Sequence, residues 1–286
     1  MRRSQRAKGC AMPELPEVET VVRGLRPLLT GRTILSARYD WPACLVTPDG
    51  PRFVARIAGQ PVRGLSRRGK YILIVLDPDT LIIHLKMTGR LYVVPDEAVH
   101  DADRWVHFSF QLDNGHQLRF SDARKFGRVY LVEDPQTVLG SLGPEPLDES
   151  FSLEEFRERL RGRSGRLKPL LTDQTFLAGV GNIYADEALW VSQLHPLRPA
   201  HPLGDDDVTR LYHAIRHVLR EGIIREGASV NWYRKPDGTK GTVQETLNVY
   251  GRAGQPCPRC GHPIERIVVA GRGTHLCPVC QVWQLA

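Results

Sequence analysis

The chain has 286 residues, 41% of them hydrophobic and 25% charged, with a formal net charge of +7. That length suits about two domains with buried cores and excludes a disordered chain. No apolar run approaches the roughly 18–20 residues of a membrane span, and Met1–Ala11 lacks the apolar segment of a secretory signal.

Arg2, Arg3, Arg6 and Lys8 supply four of the seven excess positive charges. Local clustering, more than global charge, therefore has to identify an anionic partner. Met1–Ala11 is basic, has no periodicity and precedes a stretch that looks like a protein start. We read 1–11 as an over-assigned or non-native extension.

Met12-Pro13-Glu14-Leu15-Pro16-Glu17 opens the remainder. If Met12 is removed, Pro13 ends in a free secondary amine, nucleophilic near neutral pH, since an α-amino group titrates at about 7.7–8.0. Glu14 would stand beside it as an acid/base partner. If a peptide bond precedes Pro13, the nitrogen is an inert amide and the stretch is a helix lead-in with Pro16 in the first turn. Pro16 to Leu29 reads as a helix, with Val18, Val21, Val22, Leu25, Leu28 and Leu29 in an apolar stripe and Gly31 ending it.

Short strands follow. The expected ones are Thr33–Tyr39, Arg52–Ile57, Pro61–Leu65, Tyr71–Leu76, Leu81–Leu85, Arg90–Val94, Val106–Leu112, Gln117–Ser121 and Arg128–Val132, separated by turn signals such as Asp113-Asn114-Gly115. Their spacing suggests a sandwich or barrel. Glu133 to Ser150, with Leu142-Gly143-Pro144-Glu145-Pro146, reads as a linker. Helical pattern then takes over: a capping box at Ser152–Glu155 opening Phe156 to Leu160, then Leu167–Leu171, Tyr184–Val191 and Val208–Ile224. Gly227 to Gln244 reads as a long functional loop, and Pro256 to Gln281 as a small separate module.

Two Cys-x-x-Cys pairs, Cys257/Cys260 and Cys277/Cys280, carry the most specific signal. Four thiolates suit one tetrahedral Zn²⁺ and leave no open position, so the metal is structural. Pairs of this kind indicate a reducing compartment rather than a disulfide framework. Between them, Ile264–Val269 and Thr274–Cys277 flank Gly271-Arg272-Gly273, a two-stranded ribbon with Arg272 at its tip.

Three further motifs suit nucleic acid, though on residue type alone each has a plainer structural reading: a solvated turn, an ordinary glycine turn and core packing. Ser66-Arg67-Arg68-Gly69-Lys70 is a basic turn suited to phosphates, the commonest protein contact on DNA. Gly179-Val180-Gly181-Asn182 precedes a helix whose free amides attract phosphate, with Asn182 able to cap it. Met87, Arg124 and Phe126 sit in turns between strands; such side chains can fill the gap left when a nucleotide leaves the stack. Core packing is the plainer reading of Met87 and Phe126.

In this order, the motifs resemble the formamidopyrimidine-DNA glycosylase family across nearly the whole chain from Met12. The resemblance implies an α+β multi-domain fold: an N-terminal β-sandwich with a leading helix over 12–132, a linker over 133–150, a helix-two-turn-helix domain with a lesion-capping loop over 151–243, and a β-hairpin zinc finger over 244–286. It implies a bifunctional glycosylase and abasic-site lyase for oxidised purines in duplex DNA. Pro13 is then the nucleophile, Glu14 its acid/base partner, and Lys70 and Arg272 hold phosphates at the lesion. Met87, Arg124 and Phe126 form the void-filling triad, with His107 and Asn182 as further DNA contacts. Glu17 either orients the site or caps the helix. Ala123 stands where many members have proline.

The expected partners are one structural zinc and DNA bearing oxidised bases or abasic sites, for a bacterial, cytoplasmic monomer with no membrane association. The sister enzyme for oxidised pyrimidines, endonuclease VIII, fits less well: its opening carries glycine where Leu15 stands, and it lacks the Met87 wedge. A non-catalytic zinc-ribbon DNA binder becomes the better reading if Met1–Ala11 is retained. A zinc hydrolase fails on the closed metal shell.

Overall fold

The computed structural model of the chain describes residues 12–230 and 232–283. The extension Met1–Ala11 lies outside the described residues, as do residue 231 and residues 284–286 of the expected loop and finger.

The elements of the first half are helix α1 (Leu15–Leu29), β1 (Thr33–Tyr39), β2 (Leu45–Thr47), helix α2 (Gly50–Ile57), β3 (Gln60–Pro61), β4 (Gly64–Arg68), β5 (Tyr71–Val75), β6 (Thr80–His84), β7 (Gly89–Pro95), β8 (Val106–Leu112), β9 (His116–Asp122) and β10 (Arg128–Val132). The strands form two five-stranded sheets, ordered β3-β1-β8-β9-β7 and β2-β10-β6-β5-β4. Pairing is antiparallel except for β2 on β10. Phe53, Ile72, Leu81, Phe108, Phe110 and Phe120 fill the core of this unit, each fully buried or nearly so.

One predicted strand is wrong. Arg52–Ile57 belongs to α2, because Asp49 accepts the Arg52 amide hydrogen at 3.1 Å and starts a helix there. Phe53 and Ile57, four apart, then bury on one helical face. The short β2 has no counterpart among the predicted strands.

The second half contains α3 (Gln136–Leu139), α4 (Leu153–Arg161), α5 (Leu167–Leu171), α6 (Asn182–Val191), α7 (Asp205–Ile224), β11 (Glu265–Val269) and β12 (Arg272–Leu276). The stretch read as a linker thus carries the short helix α3. Ser152 caps α4 by accepting from the Glu155 amide at 3.1 Å. Helix α6 is buried on every side from Ile183 to Trp190, as befits the centre of a domain. Strands β11 and β12 pair antiparallel with Val269 opposite Arg272. Ala270 and Gly271, both at positive φ, make the two-residue turn. Arg272 therefore flanks the tip as the first residue of β12.

Helix α1 joins the two halves. Val18, Val21, Val22, Leu25 and Leu29 pack into the sandwich core, whereas Leu15 packs into the helical-domain core with Val180 and Tyr184. Burying each such side chain stabilises by about 1.5–3 kcal/mol. The start of α1, and Pro13 and Glu14 before it, are thereby held where the two units meet. Among the described residues no helix is long and apolar enough to cross a membrane.

Candidate active site and nucleic-acid interface

Pro13 and Glu14 are buried at this junction. The Leu15 amide donates to the Gly179 carbonyl at 3.0 Å, which seats the motif against the turn before α6. Gly179 has a φ of +94°, which favours glycine. Gly181 is required for space: a Cβ there would lie 2.6 Å from Glu14 Oε1. Through that gap the Glu14 carboxylate reaches the end of α6. Its Oε1 accepts from the Ile183 amide at 2.8 Å and its Oε2 from the Tyr184 amide at 3.4 Å. Glu14 thus caps α6, the role expected of Asn182, and meets the positive end of the helix dipole.

Burial pushes the Glu14 carboxyl above the usual carboxylate range, with Lys70 and the two amides pulling back. Lys70, 4% exposed, has its ammonium pKa pushed down by burial and held up by Glu14. Glu17 sits beside this pair. It accepts from the Glu14 amide at 2.9 Å, the Tyr184 hydroxyl at 2.8 Å and the Ala228 amide at 2.6 Å. Burial, then the Glu14 charge, raises its pKa to about 7. One carboxylate therefore ties α1, α6 and the long loop together, which is more than helix capping.

The basic turn divides its labour. Arg67 forks onto Glu145 at 2.8 and 2.7 Å, and Arg68 donates to the Gly143 carbonyl at 2.6 Å. Both pin the segment after α3 to the sandwich. Lys70 alone of the three cations faces Glu14.

Met87, Arg124 and Phe126 come together at the surface. Arg124 Nη1 lies 3.4 Å from Met87 Sδ, and its guanidinium stands 4.7 Å from the Phe126 ring centroid. Phe126 is 43% exposed, which disposes of core packing for that residue. His107 makes its contacts nearby: Nδ1 is 2.7 Å from Asp40 Oδ1, and the ring meets Trp41 edge-on. Arg128 lies over the same Trp41 and donates to the Phe126 carbonyl at 3.0 Å.

Residues not singled out from sequence hold the ribbon to α6. Asp186 pairs with Lys168, both wholly buried, and accepts from the His275 amide at 2.9 Å. Glu187 accepts from the amides of Asn248, Val249 and Tyr250. Asn182 donates to the Gly273 carbonyl at 3.0 Å, so its amide nitrogen is engaged within the protein and its Oδ1 is buried without a partner. The adjacent Asp186-Glu187 pair in an otherwise apolar helix was the signal available in the sequence, since buried acids need partners.

The long loop is fastened by Ala228 to Glu17, and Tyr233 enters the sandwich core. Its own bonds include the Ser229 amide to Gln244 at 2.7 Å and Lys235 to Glu226 at 2.8 Å.

The sulfurs of Cys257, Cys260, Cys277 and Cys280 all lie within 4.8 Å of one another. Two cross-pairs, Cys257 with Cys280 and Cys260 with Cys277, are 3.9 and 3.5 Å apart. A tetrahedron of Zn–S bonds of about 2.3 Å has edges of about 3.8 Å, so the four fit one zinc ion.

Comparison with known proteins gives three family matches: the formamidopyrimidine-DNA glycosylase N-terminal domain over residues 12–129, the H2TH domain of the same proteins over 142–233, and the zinc finger found in FPG and IleRS over 254–282. The formamidopyrimidine-DNA glycosylase of Chloroflexus aurantiacus is 50% identical over 277 residues, 95% of this chain and 98% of that one. MutM (FPG) from Thermus thermophilus superposes with a TM-score of 0.85 at 42% identity, covering 94% of this chain and 98% of that one. The Lactococcus lactis FPG (MutM) bound to DNA containing FAPY-dG superposes with a TM-score of 0.87 at 37% identity, covering 94% and 100%.

Proposed function

The chain belongs to the formamidopyrimidine-DNA glycosylase family, and from that premise we propose that it excises oxidised purines, 8-oxoguanine and formamidopyrimidines, and then cuts the strand as an abasic-site lyase. The observation that carries this reading is the convergence of Pro13, the buried Glu14, Lys70 and the N-terminus of α6 at the junction of the two domains.

With Met12 removed, the Pro13 nitrogen attacks C1′ of the extruded nucleotide. The C1′–N bond to the base breaks and the base leaves with a proton. Glu14, with a pKa raised by burial, delivers a proton to the sugar ring oxygen as the ring opens. The resulting iminium draws electrons from the sugar, so that β- and then δ-elimination release the 3′ and 5′ phosphates. Lys70 and Arg272 grip phosphates beside the lesion, His107 contacts the backbone, Asn182 reaches it through the second hydrogen of the amide whose first holds the Gly273 carbonyl, and Met87, Arg124 and Phe126 fill the vacated stack. The loop over 227–244 closes on the base. Zinc holds the ribbon that carries Arg272 and takes no part in the chemistry.

Borohydride trapping on an 8-oxoguanine duplex tests the reading. Protein whose first residue is Pro13 should form a covalent DNA adduct, and protein retaining residues before Pro13 should not. Absence of the adduct with the Pro13 form would overturn the mechanism.

A further inference from the structure

The three wedge side chains stand on two different turns, and a buried carboxylate joins those turns. Asp122 closes β9 and is wholly inaccessible. Its Oδ2 accepts from the amides of Phe126 at 2.8 Å and Gly127 at 2.7 Å. Its Oδ1 accepts from the Arg124 amide at 3.2 Å and from the Thr88 hydroxyl. Thr88 follows Met87 directly, and its oxygen also accepts from the Arg124 amide at 3.2 Å. Among the described residues no cation forms an ion pair with Asp122, so three amides and one hydroxyl supply its partners.

We infer that Asp122, with Thr88, is the positioning element of the wedge: it fixes Met87 relative to Arg124 and Phe126 before DNA arrives. Arg124 and Phe126 are exposed, so the packing of their own side chains does not fix their backbone. Both turns also contain a non-glycine residue at positive φ, Lys86 at 52° and Lys125 at 57°. Such conformations persist only where the surroundings over-determine them. Hydrogen bonds to a charged acceptor are the strong kind, and in a buried network each supports the others. This inference rests on the wedge role proposed above and adds what sets the geometry of the wedge.

The test uses Thr88→Val, which keeps volume and removes the hydroxyl, Thr88→Ser, which keeps the hydroxyl, and Asp122→Asn. Asparagine cannot accept from the Arg124 and Phe126 amides on both sides at once. Two substrates are compared: an 8-oxoguanine duplex with 2-aminopurine beside the lesion, and a single-stranded abasic oligonucleotide, which has no stack to fill. T88V and D122N should lower duplex excision on the order of tenfold to a hundredfold and weaken the 2-aminopurine signal. Single-strand cleavage should be unchanged, and T88S should behave as wild type. Duplex excision unchanged in T88V and D122N, or equal losses on both substrates, would overturn the inference. Wild-type protein with no cleavage of either substrate would instead overturn the proposed function.

Discussion

Glu14 Oε1 accepts the amide hydrogen of Ile183 at 2.8 Å across a separation of 169 residues. A carboxylate beside the proposed nucleophile is thus the cap of the central helix of another domain. The proton that the proposed chemistry needs and the contact that joins the domains reside in one side chain.

Glu14→Gln should separate the two. The amide keeps an acceptor for Ile183 but cannot deliver a proton, so excision of 8-oxoguanine should fall by about 10²–10⁴-fold. Because burial raises the Glu14 pKa, the fold disfavours its charged form, so removing the charge should leave stability at neutral pH unchanged or slightly higher. Single-turnover excision and urea denaturation measure the two effects separately.

Glu17 gives the stability a pH slope. Its pKa is about 7 in the folded protein against an ordinary 4.5. Between those values the folded state holds more protons on this group than the unfolded chain, so Glu17 destabilises the fold as pH rises. The effect reaches up to about 1.4 kcal/mol per pH unit across the window. Glu17→Gln should flatten the fall in stability between pH 5 and pH 7. An equally steep fall in the variant, measured by denaturant unfolding at each pH, would assign the slope to other groups.

The Lys168–Asp186 pair is wholly buried, with side chains 1% and 0% exposed. Asp186→Asn strands the ammonium and should cost about 3–5 kcal/mol, whereas replacing both residues by apolar ones of similar volume should cost much less. Because Asp186 also holds the His275 amide, the single variant should release zinc to a chelator faster. Thermal denaturation and a chromogenic zinc assay report the two losses.

Lys70→Ala and Arg272→Ala should each reduce the salt dependence of DNA binding. Removing one phosphate-binding cation makes the slope of log K against log salt shallower by about 1. Arg67→Ala should leave that slope unchanged and reduce stability instead, because Arg67 is committed to Glu145. Titrations at several salt concentrations separate these outcomes.

Zinc removal should dissociate function from most of the fold. The ribbon would lose its cross-link and Arg272 its placement, while the sandwich core shares no residue with the finger. DNA affinity should drop at least tenfold, by the logic of a metal whose binding energy is folding energy. Circular dichroism should still report the sandwich and helices, and added zinc should restore binding.

Residue order alone made the local features legible. The spacing of Cys257, Cys260, Cys277 and Cys280 defines a metal site because each knuckle is complete within four residues. The apolar period of α1 and the strands from Val106 to Leu112 and Arg128 to Val132 follow from burial on one face, which neighbouring residues encode. The turn residues Met87, Arg124 and Phe126 were likewise readable as candidate wedges.

Folding settled which groups are committed elsewhere. Arg67, Arg68 and Lys70 look alike in the chain, and only the fold places Glu145, 78 residues on, against the first of them. Asn182 is well placed to cap α6 on paper, but Glu14 takes that role and leaves it bonded to the ribbon. Arg52–Ile57 is expected to be one of the short strands, yet the Asp49 cap and one buried face make it a helix. In each case the deciding partner is remote or competes for the same hydrogen bonds. Charge and hydrogen-bond satisfaction depend on what the folded chain brings together, and adjacency in sequence does not encode that.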